Sequence, residues 1–129
     1  MTLIYIDTNI YLDYLLKRKA HTNFSKHAFN IFKRAISCEF HIVVSDHLLY
    51  ELRKHVEAEK AQILFILIKK KIIKIETEDI DKLKAKELDT DYADALHIIL
   101  AKKTNAKLII TRNLKDFQHL FNSKLPEDV

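Results

Sequence analysis

Five carboxylates in this 129-residue chain stand where they could act together. Asp7 ends the apolar run Leu3–Ile6, Glu51 comes two helical turns after the β-branched run Ile42–Val44, and Asp116 follows Leu108–Ile110 by a short turn. Asp94 lies among Ala93, Ala95, Leu96 and Ile98, where a carboxylate is expensive unless paired or bound to a cation. Asp91 lies three residues before Asp94, so both can share one helical face. Each acid alone has a plain reading: Asp7 as a helix N-cap, Glu51 and Asp91 on solvated helix faces, Asp116 as a turn acid. If they converge, they cannot all stay ionised, because like charges a few Å apart raise one another's pKa. A hard divalent cation resolves that conflict, and an all-oxygen ligand set selects Mg²⁺ or Mn²⁺. Such an ion turns water into a nucleophile against phosphate and needs no Ser, Cys or His nucleophile.

The elements that must position these acids are legible as an alternation of short apolar runs and longer amphipathic stretches. Leu3–Ile6, Ile42–Val44, Ile72–Ile75 and Leu108–Ile110 read as strands, the first apolar throughout as in a sheet covered on both faces, the third weaker and nearer an edge. Helices are expected over Asn9–Lys17, Thr22–Ser37, from a Ser45-Asp46 cap through Val56, over Ala58–Lys71, over Thr77–Leu88 with Thr77 as its cap, and over Tyr92–Lys103. Thr111–Phe117 reads as a turn or short helix, and the tail is polar and carries the sole proline, Pro126. This order predicts one α/β domain over residues 1–129: a three-layer α/β/α sandwich around a mostly parallel sheet of four or five strands. In such sheets chemistry sits at the carboxyl ends of the strands, where these acids fall.

Composition narrows the function. Zero glycines exclude a P-loop, a GxGxxG turn and a GxSxG elbow. The single cysteine, Cys38, excludes a disulfide framework and a Cys-rich zinc site, and is expected to be a small buried filler. A net charge of +4 permits a polyanionic partner without demanding one. No signal peptide is visible, and the longest apolar run, Ile63–Ile68, is far short of the ~20 residues of a membrane span. A cytoplasmic protein without membrane contact is expected.

Asp7-Thr8-Asn9 after the first strand, Glu51 on a mid-chain helix, Asp94-Ala95-Leu96-His97, and Thr111-Arg112-Asn113-Leu114-Lys115-Asp116-Phe117 after a strand together resemble the PIN domain. The resemblance covers nearly the whole chain, at a length similar to that of VapC-type toxins of prokaryotic toxin–antitoxin pairs. It implies a PIN-like fold and Mg²⁺- or Mn²⁺-dependent endonucleolytic cleavage of RNA. By matching position it makes Asp7, Glu51, Asp94 and Asp116 the catalytic, metal-binding acids. Asn9 and Thr111 become supports that orient them, and Asp91 an outer carboxylate. Asn113 departs from the pattern, since many relatives carry an acid there. The implied partners are an RNA substrate, a small antitoxin and a second copy in a homodimer. A housekeeping nuclease of the same family and a non-cleaving RNA-binding module are the alternatives.

Around the acids, Arg112 is the expected phosphate-binding cation, with Lys17, Arg18 and Lys19 near enough to help. Lys69–Lys71 reads as a solvated helix end. The seven histidines are scattered; His97, three residues after Asp94, is close enough to touch the pocket and is read as packing or hydrogen bonding. Tyr5, Phe29, Phe32 and Phe65 are read as core.

Overall fold

The computed structural model describes residues 1–129. Five strands form one sheet: β1 (Leu3–Ile6), β2 (His41–Ser45), β3 (Ile72–Ile75), β4 (Leu108–Ile110) and β5 (Ser123–Lys124). Every pairing is parallel and the order is β3-β2-β1-β4-β5, so β1 is central and β3 lies at an edge. Seven helices cover the sheet: α1 (Thr8–Leu15), α2 (Phe24–Ile36), α3 (Asp46–Arg53), α4 (Ala58–Ile68), α5 (Asp79–Lys86), α6 (Tyr92–Lys103) and α7 (Leu114–Phe117). No helix is long and apolar enough to cross a membrane.

Side-chain alternation along the three inner strands splits the core in two. Ile4, Ile6, Ile42, Val44, Leu108 and Ile110 pack with residues of α1 to α4 on one face. Tyr5, Val43 and Ile109 pack with residues of α5, α6 and α7 on the other. The expected α/β/α layering follows directly from this period-2 pattern.

Several local expectations are corrected. The helix of Thr77 is shorter, because Thr77 gives its N–H and hydroxyl to Asp46 Oδ1 at 2.9 and 2.6 Å and leaves the N-cap to Glu78. Lys69–Lys71 forms a 3₁₀ turn beyond α4. The polar tail supplies β5, a two-residue strand tied to β4 by Ile109 N–H to Asn122 O and Thr111 N–H to Lys124 O. Phe29 stays 46% exposed and stacks on Tyr14 at 5.9 Å instead of entering the core.

Cys38 is exposed, and the reason lies in the missing glycines. Lys17, Cys38 and Asn105 carry φ of 52°, 68° and 58°, each just past the C-cap of a helix. At all three ends the paired bonds of a Schellman motif close the helix, as in Cys38 N–H to Ala35 O and Glu39 N–H to Arg34 O. Glycine normally fills this left-handed position; a side chain there costs roughly 1–2 kcal/mol, less for asparagine. Cys38 has no burial to lose. Cys38→Gly is therefore expected to stabilise the fold by about 1 kcal/mol, a rise of roughly 3 °C in Tm by calorimetry. An unchanged or lower Tm would show that the left-handed backbone carries no penalty here.

Candidate active site

From β1 the chain crosses to β2 and β3 on one side, then returns to β4 on the other. The crevice of such a sheet opens where the connections diverge, at the carboxyl ends of β1 and β4. Asp7 is the first residue beyond β1 and Thr111 the first beyond β4. Their side chains meet: Thr111 Oγ1 donates to Asp7 Oδ2 at 2.9 Å. Asp7 occupies the N-cap position of α1, yet its carboxylate makes no capping bond and lies 4% exposed at the sheet edge.

Other elements bring the remaining acids within electrostatic reach. Asp94 lies in the first turn of α6. Burial, then the charges of Asp7, Asp91 and Asp116, push its carboxyl up to about 6, against an opposing pull from His97. Burial likewise raises Asp7; His97 and the Thr111 hydroxyl oppose this, and the charge of Glu51 adds to it. Asp94 thus feels the charges of Asp7, Asp91 and Asp116, and Asp7 that of Glu51, acids drawn from both ends and the middle of the sequence.

Glu51 is held differently from the others. Thr8 Oγ1 donates to Glu51 Oε1 at 2.5 Å, and His97 Nε2 bonds the same oxygen at 2.5 Å. Burial would raise the Glu51 carboxyl, but the bond and charge of His97, with the Thr8 hydroxyl, bring it down to about 2. Behind His97, its Nδ1 meets the hydroxyl of Tyr5 at 2.5 Å, which meets Ser45 Oγ at 2.8 Å. The His47 ring packs against His97 at a tilt of 48° with centroids 4.4 Å apart and bonds Ala93 O at 3.0 Å through Nε2. Ligand atoms of His47, Glu51 and His97 all lie within 4.8 Å of one another.

The polar neighbours sort into those that touch the acids and those that do not. Asn113 Nδ2 donates to Asp116 Oδ2 at 2.6 Å, and Asn113 N–H donates to Thr111 Oγ1 at 2.9 Å. Asp91 caps α6, accepting from the N–H groups of Ala93 and Asp94. Asn9, expected as a support, touches no carboxylate. Its side chain is exposed and accepts from Arg18 at 3.5 Å.

Arg112 does not present a free cation to the pocket. Its Nε and Nη2 grip Asp13 at 2.6 and 2.9 Å, and its guanidinium lies 4.0 Å from the centre of the Phe24 ring. Asp13 is 1% exposed, and a carboxylate so buried needs such a partner. Lys17–Lys19 leave the far end of α1, and the Arg18 guanidinium folds back along the helix to Asp13 at 3.6 Å and Asn9 at 3.5 Å. Asp13, Thr8, Tyr5 and Ser45 are contributors that sequence reasoning missed. Tyr5 carried a signal: a hydroxyl in an otherwise aliphatic central strand must find a partner.

Residues 4–115 match the PIN domain family. No curated protein sequence matches the chain. Among solved structures, VapBC2 of Rickettsia felis, bound to a DNA fragment from its promoter, is similar at TM-score 0.68 and 18% identity, covering 96% of this chain and 98% of that one. VapC20 of Mycobacterium tuberculosis, a sarcin–ricin loop cleaving toxin, matches at TM-score 0.68 and 13% identity, over 92% and 95%. FitAcB of Neisseria gonorrhoeae matches at TM-score 0.60 and 17% identity, over 98% and 99%. These likenesses show the fold.

Burial of the Asp94 carboxylate, together with its acidic neighbours, has a measurable consequence for stability. An unfolded aspartate titrates near about 3.9, whereas folded Asp94 titrates at about 6. Between those values the native state holds the extra proton, so stability without divalent ions falls as pH rises from about 4 to 6, and stays lowered above. Asp94→Asn removes this penalty. In chelator, the variant is expected to be more stable than wild type at pH 7.5 by about 1–3 kcal/mol, with the gap closing at pH 4. Equal stability of the two proteins at both pH values would contradict the raised Asp94 carboxyl.

Proposed function

The chain belongs to the PIN-domain family, and from that premise we propose that it is a divalent-cation-dependent endoribonuclease, the toxin of a toxin–antitoxin pair. The observation that supports this reading is the electrostatic coupling of Asp94 to Asp7 and Asp116, and of Asp7 to Glu51, about the carboxyl ends of β1 and β4. Oxygen donors crowded in this way fit Mg²⁺ or Mn²⁺, which would neutralise the repulsion now felt at Asp94. When bound, the ion supplies positive charge against a phosphodiester and acidifies a nearby water.

The side chains of this protein supply the rest of the chemistry. Asp7, at the end of β1 and fixed by Thr111, and Asp116, on α7 and fixed by Asn113, hold preset orientations. Glu51, kept ionised, is suited to lasting ligation. Asp94, its carboxyl pushed up to about 6, suits the role of proton acceptor from the attacking water. Arg112, through Asp13, anchors the loop that carries Thr111 and Asp116 to α1.

An antitoxin partner is supported by the kind of assembly that VapBC2 and FitAcB form. On this chain, exposed Phe29 of α2 and Ile63 of α4 line a cavity with Lys17, Lys19, Lys26 and Lys60, a surface that suits an apolar segment bearing acids. Exposed Ile80 and Leu83 on α5 suit a second copy of the chain, giving the homodimer.

Asp7→Asn and Asp94→Asn are each expected to lower Mn²⁺-dependent RNA cleavage at least roughly a hundredfold with an unchanged circular dichroism spectrum. Full activity in both variants would refute the assignment. Induced wild-type protein is expected to arrest growth and Asp94→Asn to release it; cleavage without arrest would favour a housekeeping nuclease.

A further inference from the structure

His97 lies in the middle of a polar chain that the four acids alone do not explain. It is 1% exposed, as deep in the core as its aliphatic neighbours on α6. The chain runs Ser45–Tyr5–His97–Glu51, from the ends of two strands through a helix to the rim of the acid cluster. Ser45 and Tyr5 are fully buried, and Ser45 Oγ is also fixed by the N–H of Leu48 at 3.0 Å. A carboxylate cannot donate, so His97 Nε2 carries its proton toward Glu51. The ring is thus oriented from behind by a phenol that is itself pinned.

The bonds on Glu51 have a telling asymmetry. Thr8 and His97 both converge on Oε1. Oε2 receives no hydrogen bond and has only His47 at 3.9 Å. A glutamate left free loses up to about 2 kcal/mol of side-chain entropy when a ligand fixes it. Gripped by one oxygen beforehand, it offers the other in a set direction, and that loss is already met in folding.

We infer that His97, backed by Tyr5 and Ser45, is a positioning residue: it fixes Glu51 through Oε1 so that Oε2 is presented to the divalent ion. The role rests on the metal-nuclease reading above. His97 touches neither ion nor RNA and acts only through Glu51. A ring nitrogen that ligates would have to give up its short bond to Glu51; one that positions keeps it.

The test is Mn²⁺ affinity by calorimetry, read beside cleavage kinetics, for wild type, His97→Ala, His97→Gln, Tyr5→Phe and Glu51→Gln. His97→Ala is expected to weaken Mn²⁺ binding about tenfold and to lower kcat 10- to 100-fold with KM for RNA unchanged. His97→Gln places an amide N–H near the position of Nε2 and is expected to recover most of both losses. Tyr5→Phe removes one hydroxyl, and is expected to show a smaller loss in the same direction; it carries the test should His97→Ala fail to fold. Wild-type affinity in His97→Ala, or a His97→Gln no better than alanine, overturns the inference. Wild-type protein that binds no Mn²⁺, with Glu51→Gln indistinguishable from it, would instead fault the metal-nuclease reading.

Discussion

Negative charge concentrated at one edge of a parallel sheet is the constraint around which this molecule is arranged. Asp7 and Asp94 both hold their protons more tightly than free aspartates, and each does so in part because of another acid in the cluster. Folding alone gives no reason to gather these groups. Hydrophobic burial would be better served by neutral side chains at the ends of β1 and at the start of α6. A structure that carries such repulsion at rest has a natural counterpart in a doubly charged ion, whose binding would relieve it.

The surrounding fold makes that concentration of charge tolerable and keeps it rigid. Strand β1 sends Ile4 and Ile6 into one core and Tyr5 into the other, and ends in Asp7. One short element therefore joins both hydrophobic layers, the acid cluster and the polar chain behind Glu51. The ion pair of Asp13 and Arg112 ties α1 to the loop after β4 across 99 residues of sequence. Two of the acids, Asp7 and Asp116, are thus oriented by hydroxyl and amide donors from that same loop, Thr111 and Asn113.

What was legible in the sequence depended on locality. Helix α6 and strand β4 were readable to their end residues because their apolar runs are strong, whereas the N-cap role of Asp91 was not. Asp7, Asp94 and Asp116 were readable as a group because each stands just after a strand, early on a helix or in the turn that follows a strand, with Glu51 on the helix after β2. Strand β5 was not, since two residues have no periodicity and are held only by β4. The depth of Asp13 was hidden for a similar reason: its partner lies in a distant loop, and nothing in its neighbours Leu12 and Tyr14 marks it as paired. Arg112 was misdirected by the same omission, an arginine in a site segment reading as free until its carboxylate is known. For His97, proximity to Asp94 was visible in the three-residue spacing, whereas its grip on Glu51 across 46 residues was not. The left-handed turn at Cys38 follows from zero glycines, a fact of composition whose consequence appears only once helix ends are placed.

Crystals soaked in Mn²⁺, with the ion located by its anomalous scattering, test the central claim most directly. The account places manganese between Asp7 and Asp94, within reach of Glu51 and Asp116. Manganese held only by the imidazoles of His47 and His97, or no manganese at the ends of β1 and β4 at millimolar concentration, would contradict it.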